Sequence, residues 1–269
     1  MAQFVPRRFK KYGEVFGGAM WFYIRTSIAN NCESIYYNDF DPYMYNLFLC
    51  FKQYDEMLKR LEDVPTCDTK VFDKMLKTVQ ENTNFEFPNL DIGAAHIYLI
   101  AHVFSGMTGS LRNPKCKMMN KGYNFDTMSG HAVLKRLRKP EIRQKLHKIE
   151  ASNLSYEAFI PMVDSKDTFL YLDPPYWKTE GYYREGDFSY SDHERLASML
   201  NNTKCKWMLS YYNYPELNEW YPREKYVWKN RKYKKMATAF KGKEMPTGEE
   251  VIVMNYGKEQ DKLSSFFGG

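Results

Sequence analysis

A short apolar run that ends in Asp-Pro-Pro constrains the fold of this 269-residue chain more than any other feature. Residues 168–172 read TFLYL, a continuous run that is typical of a strand buried in a parallel sheet. Asp173 follows at once, and Pro174 and Pro175 then exclude a helix and supply no backbone N–H donors. The turn therefore holds a carboxylate and a bare carbonyl at the carboxyl edge of the sheet, where open α/β sheets bind ligands. The simpler alternative is a strand-ending turn with a surface tyrosine, Tyr176.

The rest of the chain alternates between strand and helix patterns, which indicates βαβ units and a mainly parallel sheet. Four more apolar runs predict strands, at 14–16, 34–38, 206–210 and 251–256. Apolar periodicity predicts helices at 20–27, 42–61, 71–81, 93–105, 132–149 and 192–202, the last with Asp192 as its N-cap. We therefore expect a Rossmann-like α/β fold. Its catalytic domain would comprise 1–51 and 150–269, and a mostly helical insert would occupy 52–149.

Two glycines and an acid form a second group of residues. Gly17 and Gly18 come directly after Glu14-Val-Phe16 and before a predicted helix, where glycine lets the backbone approach a ligand closely. Asp39 ends the next predicted strand, 22 residues after Gly17, where nucleotide-binding folds place an acid for ribose hydroxyls. Taken alone, the strand, the two glycines and the helix would equally suit a structural turn.

The positive charge is concentrated in two segments. Residues 112–148 hold eleven Lys and Arg against two acids, and residues 223–243 hold nine against one. Because the whole chain is only +6, the remainder is net −11. Two solvated surfaces are one interpretation, and the electrostatic footprint of a polyanion is the other.

The cysteines and the N-terminus argue against several classes of protein. The five cysteines include no CxxC pair, which argues against a zinc site or a disulfide framework and for reduced thiols. The first residues lack the apolar core of a secretory signal, and the apolar stretch at 97–104 is too short to span a bilayer. We expect a soluble intracellular protein that needs no metal.

At this point the sequence resembles a known family, the D12-class (Dam-type) DNA N6-adenine methyltransferases of the α group. DPPY at 173–176 matches their catalytic motif. EVFGGA at 14–19 resembles their S-adenosylmethionine loop, and YNDFDPYMYN at 37–46 resembles their acidic loop for the ribose. YLIAHVFSG at 98–106, LSYYN at 209–213 and EEVIVMNY at 249–256 are looser matches that occur in the family's order.

The resemblance implies a methyl transfer to the N6 amino group of adenine in a specific double-stranded DNA sequence, after the base flips out of the helix. Asp173 and the Pro174 carbonyl would bind the amino group, and Tyr176 would stack on the base. The implied catalytic residues are Asp173, Pro174, Pro175 and Tyr176. The implied S-adenosylmethionine-binding residues are Glu14, Phe16, Gly17, Gly18, Asp39, Phe40 and Asp173.

The resemblance also gives the insert and the basic segments a role. Residues 52–149 would be a target-recognition domain, and no membrane contact or metal is implied. The residues expected near DNA are Arg112, Lys115, Lys117, Lys121, Lys232, Lys234 and Lys235. The protein would act in the cytoplasm of a bacterium, either as a bacterial protein or as a phage-encoded one. A cognate restriction enzyme is possible and not required.

The chain departs from the family pattern at its start. The family carries a W-x-G-G-K-like run before the cofactor loop, whereas residues 7–11 here read RRFKK. Two alternatives stay open, an RNA base methyltransferase of the same fold and a DNA-binding homologue without catalysis. Asp173 in place of Asn weighs against the related N-P-P-Y enzymes, which methylate glutamine amides in proteins.

Overall fold

A computed structural model of the chain describes residues 1–30, 32–62, 64, 68–103, 111, 130–176, 188–234 and 247–257. These residues fall into two compact units. The first unit lies within Met1–Phe40, Leu154–Glu180 and Glu185–Gly269, and the second comprises Asp41–Asn153. The second unit therefore starts about ten residues before the predicted insert, and its role in target recognition stays a prediction.

A seven-stranded sheet is the main feature of the described residues. Its strands are β1 (Lys11–Glu14), β2 (Ser34–Asn38), β3 (Ile149–Ser152), β4 (Thr168–Leu172), β5 (Lys206–Tyr212), β6 (Val227–Lys234) and β7 (Thr247–Met254). Six of them belong to the first unit and follow the order β2-β1-β4-β5-β7-β6. β2, β1, β4 and β5 pair in parallel, whereas β7 is antiparallel to both of its neighbours. The predicted α/β class is confirmed.

One face of this sheet carries the hydrophobic core of the first unit. Because side chains alternate along a strand, Leu170 and Leu172 point to the same face as their partners Trp207 and Leu209. These residues pack with Val251 and Val253 of β7 in one buried cluster. The opposite face is buried as well, with Phe169 and Met208, and it also carries the polar groups of Glu14, Tyr171 and Ser210; this is the polar face.

Among the described residues, four α-helices belong to the first unit. They are α1 (Trp21–Arg25), α8 (Tyr156–Met162), α9 (Tyr190–Asn202) and α10 (Pro215–Trp220). The cap predicted for α9 was wrong. Ser189 is the N-cap and Asp192 is the third helical residue; together they form a capping box, in which each side chain accepts from the other's backbone N–H.

The second unit is mostly helical. Its helices are α2 (Pro42–Cys50), α3 (Tyr54–Glu62), α4 (Thr69–Glu81), α5 (Leu90–His102), α6 (Gly130–Leu137) and α7 (Pro140–His147), and β3 follows them. α5 is buried over most of its length and packs against α4 through Phe72, Leu76 and Leu99. Asp68 and Asn89 cap α4 and α5 by accepting from backbone N–H groups of the first turn.

The sequence placed several strands imperfectly. The first strand ends at Glu14 rather than starting there, because residues 11–14 are the ones that pair with both β2 and β4. β7 begins four residues earlier than predicted and ends two residues earlier. β6 was missed because VWKNRKYK has no apolar alternation and reads as a charged segment, and β3 was missed as well.

Trp207 is the side chain on which the core of the first unit most depends. It is fully buried, its Nε1 donates to the Leu200 carbonyl at 2.9 Å, and its ring contacts Tyr221 and Tyr226. We expect Trp207→Ala to lower the free energy of unfolding by about 3–5 kcal/mol. Trp21→Ala is the control, because Trp21 is exposed, and it should cost less than about 1 kcal/mol. Chemical denaturation followed by circular dichroism checks both, and equal losses would contradict the assignment of the core.

Candidate active site

The Asp-Pro-Pro turn places a carboxyl group and a tyrosine hydroxyl in direct contact. Asp173 follows the last residue of β4, and the Tyr176 hydroxyl donates to Asp173 Oδ1 at 2.6 Å. The same hydroxyl lies 3.4 Å from Ser210 Oγ on β5. The Tyr176 ring packs on Tyr211 and Tyr212, with ring centroids 5.0 and 4.4 Å apart. The two residues predicted to act on a base are therefore joined to each other in this structure.

The surroundings of Asp173 favour its neutral form. Asp173 is exposed to solvent, and its carboxyl group accepts a hydrogen bond from the Tyr176 hydroxyl. Desolvation is the main cause that raises the pKa of this carboxyl to about 6, and the hydrogen bond from Tyr176 acts in the opposite direction. Burial and the charge of Asp173 together raise the pKa of the Tyr176 hydroxyl, which therefore stays protonated and donates.

The backbone of Gly17 fills a space that no side chain could share. A Cβ added there would lie 2.2 and 2.6 Å from two ring carbons of Tyr37 and 3.0 Å from the Asn38 carbonyl oxygen. The Gly17 N–H donates to that carbonyl at 2.8 Å, which fixes the loop to the end of β2. Glycine is required here because Tyr37 and Asn38 occupy the place of a side chain, whereas the sequence pattern suggested the close approach of a ligand.

Gly18 is required for a different reason, its backbone conformation. Its φ of +47° lies in the left-handed region, and its N–H donates to Asp39 Oδ2 at 2.7 Å. The Tyr37 hydroxyl donates to the Gly18 carbonyl at 3.0 Å. The Asn38 side chain completes the support by donating to the Val15 and Leu154 carbonyls, both at 3.0 Å. The predicted cofactor loop is thus held by the residues that end β2.

Glu14 is a buried acid at the carboxyl end of β1. Its Oε1 accepts from the Tyr12 hydroxyl at 2.7 Å and from the Tyr23 N–H at 2.9 Å. Burial raises the pKa of this carboxyl to about 8, the two hydrogen bonds lower it, and the charge of Asp173 raises it further. Glu14 therefore holds a proton at neutral pH in this structure.

The two phenylalanines of the predicted set have different surroundings. Phe16 is half-buried and contacts the rings of Tyr156 and Phe188, with centroids 5.9 and 5.5 Å apart. Phe40 lies beyond β2 and leaves 76% of its surface exposed, which is unusual for a ring of this size. Phe16 is thus anchored to the core, whereas the ring of Phe40 is available for stacking.

Parallel pairing brings the predicted acids to one edge of the sheet. β1 pairs with β2 on one side and with β4 on the other, and Glu14 is directly opposite both Tyr37 and Tyr171. The residues that follow these strands are the glycine loop, Asp39 and the Asp173 turn. The charge of Asp173 raises the pKa of Glu14, so the two carboxyl groups interact electrostatically.

Sequence reasoning missed several residues of this edge. Tyr37 and Asn38 lie inside the quoted acidic-loop match but were given no role. Ser210 is buried beside Tyr176, and nothing in a lone serine within a strand indicates such a contact. Tyr171 is buried against Phe22, with ring centroids 4.4 Å apart. An alternation count along β4 and β5 would have placed Tyr171 and Ser210 on the polar face.

The predicted DNA-binding residues are only partly described. Arg112, Lys115, Lys117, Lys121 and Lys235 lie outside the described residues. Lys232 and Lys234 belong to β6, in register with Glu249 and Thr247 of β7. By alternation Lys232 falls on the face that carries the hydrophobic core, opposite to the face of Glu14. The structure therefore does not bring Lys232 to the side on which Glu14 and Tyr171 lie.

A comparison with protein families supplies the decisive observation. The family model described as D12 class N6 adenine-specific DNA methyltransferase matches residues 2–235. The chain belongs to this family. It is therefore an enzyme, a DNA methyltransferase that acts on the N6 position of adenine. A search of curated proteins found no match.

Two further observations on the methyltransferase concern membrane-spanning helices and metal sites. In the part of the chain that the structure describes, no helix is long and apolar enough to cross a membrane. Among the same residues, no three His, Cys, Asp or Glu side chains are grouped so that they could hold a metal ion.

Methyltransferases of this kind draw their methyl group, in general, from S-adenosylmethionine. The residues of this edge suit such a group. Gly18 has open space where a side chain would stand, Asp39 offers a carboxylate beside the loop, and Phe40 exposes its ring. Glu14 and Asp173 are carboxyl groups whose ionised forms a cationic ligand would favour. The donor set therefore fits the cofactor.

The glycine loop gives a first prediction for the methyltransferase. In Gly17→Ala the added Cβ would collide with the Tyr37 ring and the Asn38 carbonyl oxygen, so these groups must move. We therefore expect a loss of about 1–3 kcal/mol in stability. Binding of S-adenosylmethionine, measured by calorimetry, should weaken about tenfold or more. In Gly18→Ala the added Cβ meets open space, and the left-handed backbone alone should cost about 1–2 kcal/mol in stability. A Gly17→Ala protein with wild-type stability and affinity would contradict this packing.

Glu14 gives a second prediction, on stability and pH. Its pKa is about 8 in the folded protein against an ordinary value of 4.5, so the folded state holds the extra proton. Its stabilising contribution is complete below pH 4.5 and is lost as the pH rises through 8, with a slope of at most about 1.4 kcal/mol per pH unit. The Glu14→Gln variant keeps the acceptor oxygen and cannot titrate. Denaturant midpoints at pH 5, 6.5 and 8 should show the wild type losing stability relative to this variant, and parallel curves would count against a buried neutral Glu14.

Proposed function

We propose that this enzyme transfers a methyl group from S-adenosylmethionine to adenine N6 in a specific double-stranded DNA sequence, and that the adenine is flipped out of the helix first. The observation that carries the proposal is the Asp-Pro-Pro turn at the carboxyl edge of β4, beside the glycine loop. An acid, a carbonyl without a neighbouring N–H, and a tyrosine occur there together. Family membership supports adenine as the base.

The main chemical difficulty of the reaction is the low nucleophilicity of the adenine amino group, and the turn would compensate for it. The adenine N6 lone pair is delocalised into the ring. Asp173 and the Pro174 carbonyl would accept the two N6 hydrogens and so favour the tetrahedral nitrogen that forms during attack. Fixed acceptors aimed at a developing positive charge lower the barrier because they do not have to reorganise. Correct placement of the amino group would contribute a comparable share.

Asp173 must be ionised to act as an acceptor on both oxygens. With a pKa near 6, the carboxyl is mostly ionised at neutral pH and largely protonated at pH 5. Its Oδ1 is engaged by the Tyr176 hydroxyl in this structure, so an incoming base must displace that hydroxyl. The displaced Tyr176 ring would then stack on the base.

The cofactor would be held by Glu14, Phe16, Gly17, Gly18, Asp39, Phe40 and Asp173. When bound, S-adenosylmethionine supplies an activated methyl group on a positively charged sulfur. Asp39 would bind the ribose hydroxyls and Phe40 would cover the purine ring. Glu14 would lose its proton and place a negative charge near the cation, since its pKa is raised mainly by burial.

DNA would be the macromolecular partner, with residues 52–149 acting in target recognition. Phosphate contacts from the predicted basic residues, Arg112, Lys115, Lys117 and Lys121 among them, would supply most of the affinity. A base must leave the stack to reach Asp173, which requires that the strands open locally. We place the reaction in the cytoplasm of a bacterial cell, with a restriction partner possible and not required.

A labelling experiment tests the proposal. Purified protein is incubated with labelled S-adenosylmethionine and unmethylated DNA, and modified bases are mapped by sequencing. We expect N6-methyladenine at one recognition sequence. Label on RNA in place of DNA would support the RNA enzyme, and binding of DNA without transfer would support the inactive homologue; either result would overturn the proposal.

Asp173 variants test the site assignment. Asp173→Ala should lower kcat by about 100-fold or more, while DNA affinity stays within a few-fold, because the residue acts on the transition state. Asp167→Asn is the control, since Asp167 lies exposed just before β4 and should leave activity unchanged. The wild-type rate should fall as the pH drops through about 6, where Asp173 gains a proton. Normal turnover by Asp173→Ala would show that the site is assigned wrongly.

A further inference from the structure

The β6 strand carries positive side chains on both faces of the sheet, and only one face matters for the Asp173 turn. Register with β7 pairs Arg231 with Glu250 and Lys229 with Ile252. Alternation then places Arg231 and Lys229 on the polar face, with Ser210 and Tyr212 of β5. Trp228 and Lys232 fall on the opposite face, that of the hydrophobic core.

Arg231 is held in place by a partly buried acid. Its Nη1 lies 3.1 Å from Glu250 Oε2, and the side chain of Glu250 is only 16% exposed, whereas that of Arg231 is 43% exposed. Burial raises the pKa of Glu250 and the guanidinium beside it lowers the pKa again. The pair Lys232–Glu249 on the other face is looser, at 3.7 Å, with side chains 75% and 61% exposed. Arg231 is therefore oriented and still accessible.

A row of side chains connects Arg231 with the candidate catalytic turn. Glu250 is directly opposite Tyr212 on β5, and the Tyr212 ring packs on Tyr176. Tyr176 in turn donates to Asp173. The charges of Glu250 and Arg231 both act on Asp173: Glu250 raises the pKa of the Asp173 carboxyl group and Arg231 lowers it. Arg231 thus lies near the group that would hold the adenine.

We propose that Arg231, oriented by Glu250, binds a DNA phosphate next to the adenine held at Asp173. This inference rests on the proposed function and names a specific contact for it. It also replaces Lys232 and Lys234 as the part of the second basic segment that acts near the reaction.

The charges of this face explain why such a cation is needed. Two acids, Asp173 and Glu250, are on or beside the polar face of the sheet. A DNA strand that delivers a base to Asp173 brings its own negative phosphates toward them. A guanidinium offers five N–H donors in a planar fork, so it can serve Glu250 and a phosphate at once. Arg231 would turn a repulsive approach into an attractive one.

The carboxylate of the cofactor is the other anion that Arg231 could bind, and binding measurements separate the two. We expect Arg231→Ala to raise the Kd for DNA about tenfold and to reduce the slope of log K against log salt by about one. Calorimetric affinity for S-adenosylmethionine should stay within twofold. Arg231→Lys should recover part of the DNA affinity, because it keeps the charge and loses the fork.

Arg195→Ala is the matched control, because Arg195 is also an ion-paired arginine, 53% exposed, on α9. It should leave DNA affinity and turnover unchanged. Circular dichroism establishes that each variant is folded, and Arg231→Lys covers the case in which Arg231→Ala is not. A loss of cofactor affinity with unchanged DNA affinity would overturn the inference, and so would DNA affinity unchanged in both Arg231 variants.

The acidic limb of the pH–rate profile separates a role of Arg231 beside Asp173 from a purely structural role. A purely structural role would not shift this limb. The charged and titratable groups around Asp173 are Tyr176, Tyr171, Glu14, Glu250 and Arg231, and the amino group of Met1 also feels Arg231. Arg231→Ala should move this limb to higher pH, and Glu250→Gln should move it to lower pH, while Lys232→Ala should leave it in place. Shifts in the same direction, or no shift in either variant, would overturn the placement of Arg231 beside Asp173. The wild-type protein tests the proposed function separately, since it must methylate DNA in the same assay.

Discussion

The double pairing of β1, with β2 on one side and β4 on the other, is the constraint on which the candidate site depends. Parallel strands end at the same edge of a sheet, so the segments after β1, β2 and β4 must meet there. The contacts of Gly17 with Asn38 and of Gly18 with Asp39 follow from this meeting. A shift of β1 by one residue would turn Glu14 toward the hydrophobic core and remove it from the edge. Register, rather than any single hydrogen bond, therefore decides whether the site exists.

Desolvation is the main influence on the ionisation of the acids at this edge of the sheet. Glu14, Asp173 and Glu250 all have raised pKa values, and burial is the first cause in each case. Such acids are poorly stabilised as anions until a positive group arrives, so they favour cationic ligands and disfavour anionic ones. A sulfonium cofactor fits that preference and a DNA backbone does not. Under the proposed role of Arg231, its accessible guanidinium on the same face would offset this repulsion of the DNA backbone.

Much of the fold could be predicted because its strongest signals are local. The TFLYL run and the two prolines define β4 and its end, and 34–38 was placed as it is observed. β6 escaped because an edge strand can carry lysine and arginine on both faces, which hides the apolar pattern typical of a strand. β1 was displaced because its apolar residues continue past its last pairing partner, and only the partner strands decide where pairing stops.

The site was predicted at the level of motifs and missed at the level of contacts. Composition could not tell Arg231 from Lys232, because both belong to one basic run and differ only in the face they occupy. Ser210 and Tyr37 gave no signal either, since their roles arise from neighbours distant in sequence. Once the register is known, alternation along three strands separates the cations near Asp173 from those on the core face.

The bond between Tyr176 and Asp173 shows how one motif can serve two states. Without a base, the Tyr176 hydroxyl at 2.6 Å gives the Asp173 carboxyl group a hydrogen-bond donor. An amino group of adenine offers the same kind of donor, so it can replace the hydroxyl without leaving the carboxyl unsatisfied. The freed ring then presents its face beside the position that its hydroxyl has left. Under the proposed function, exchange of one donor for another would lower the cost of admitting the base, because the acid would keep a partner throughout.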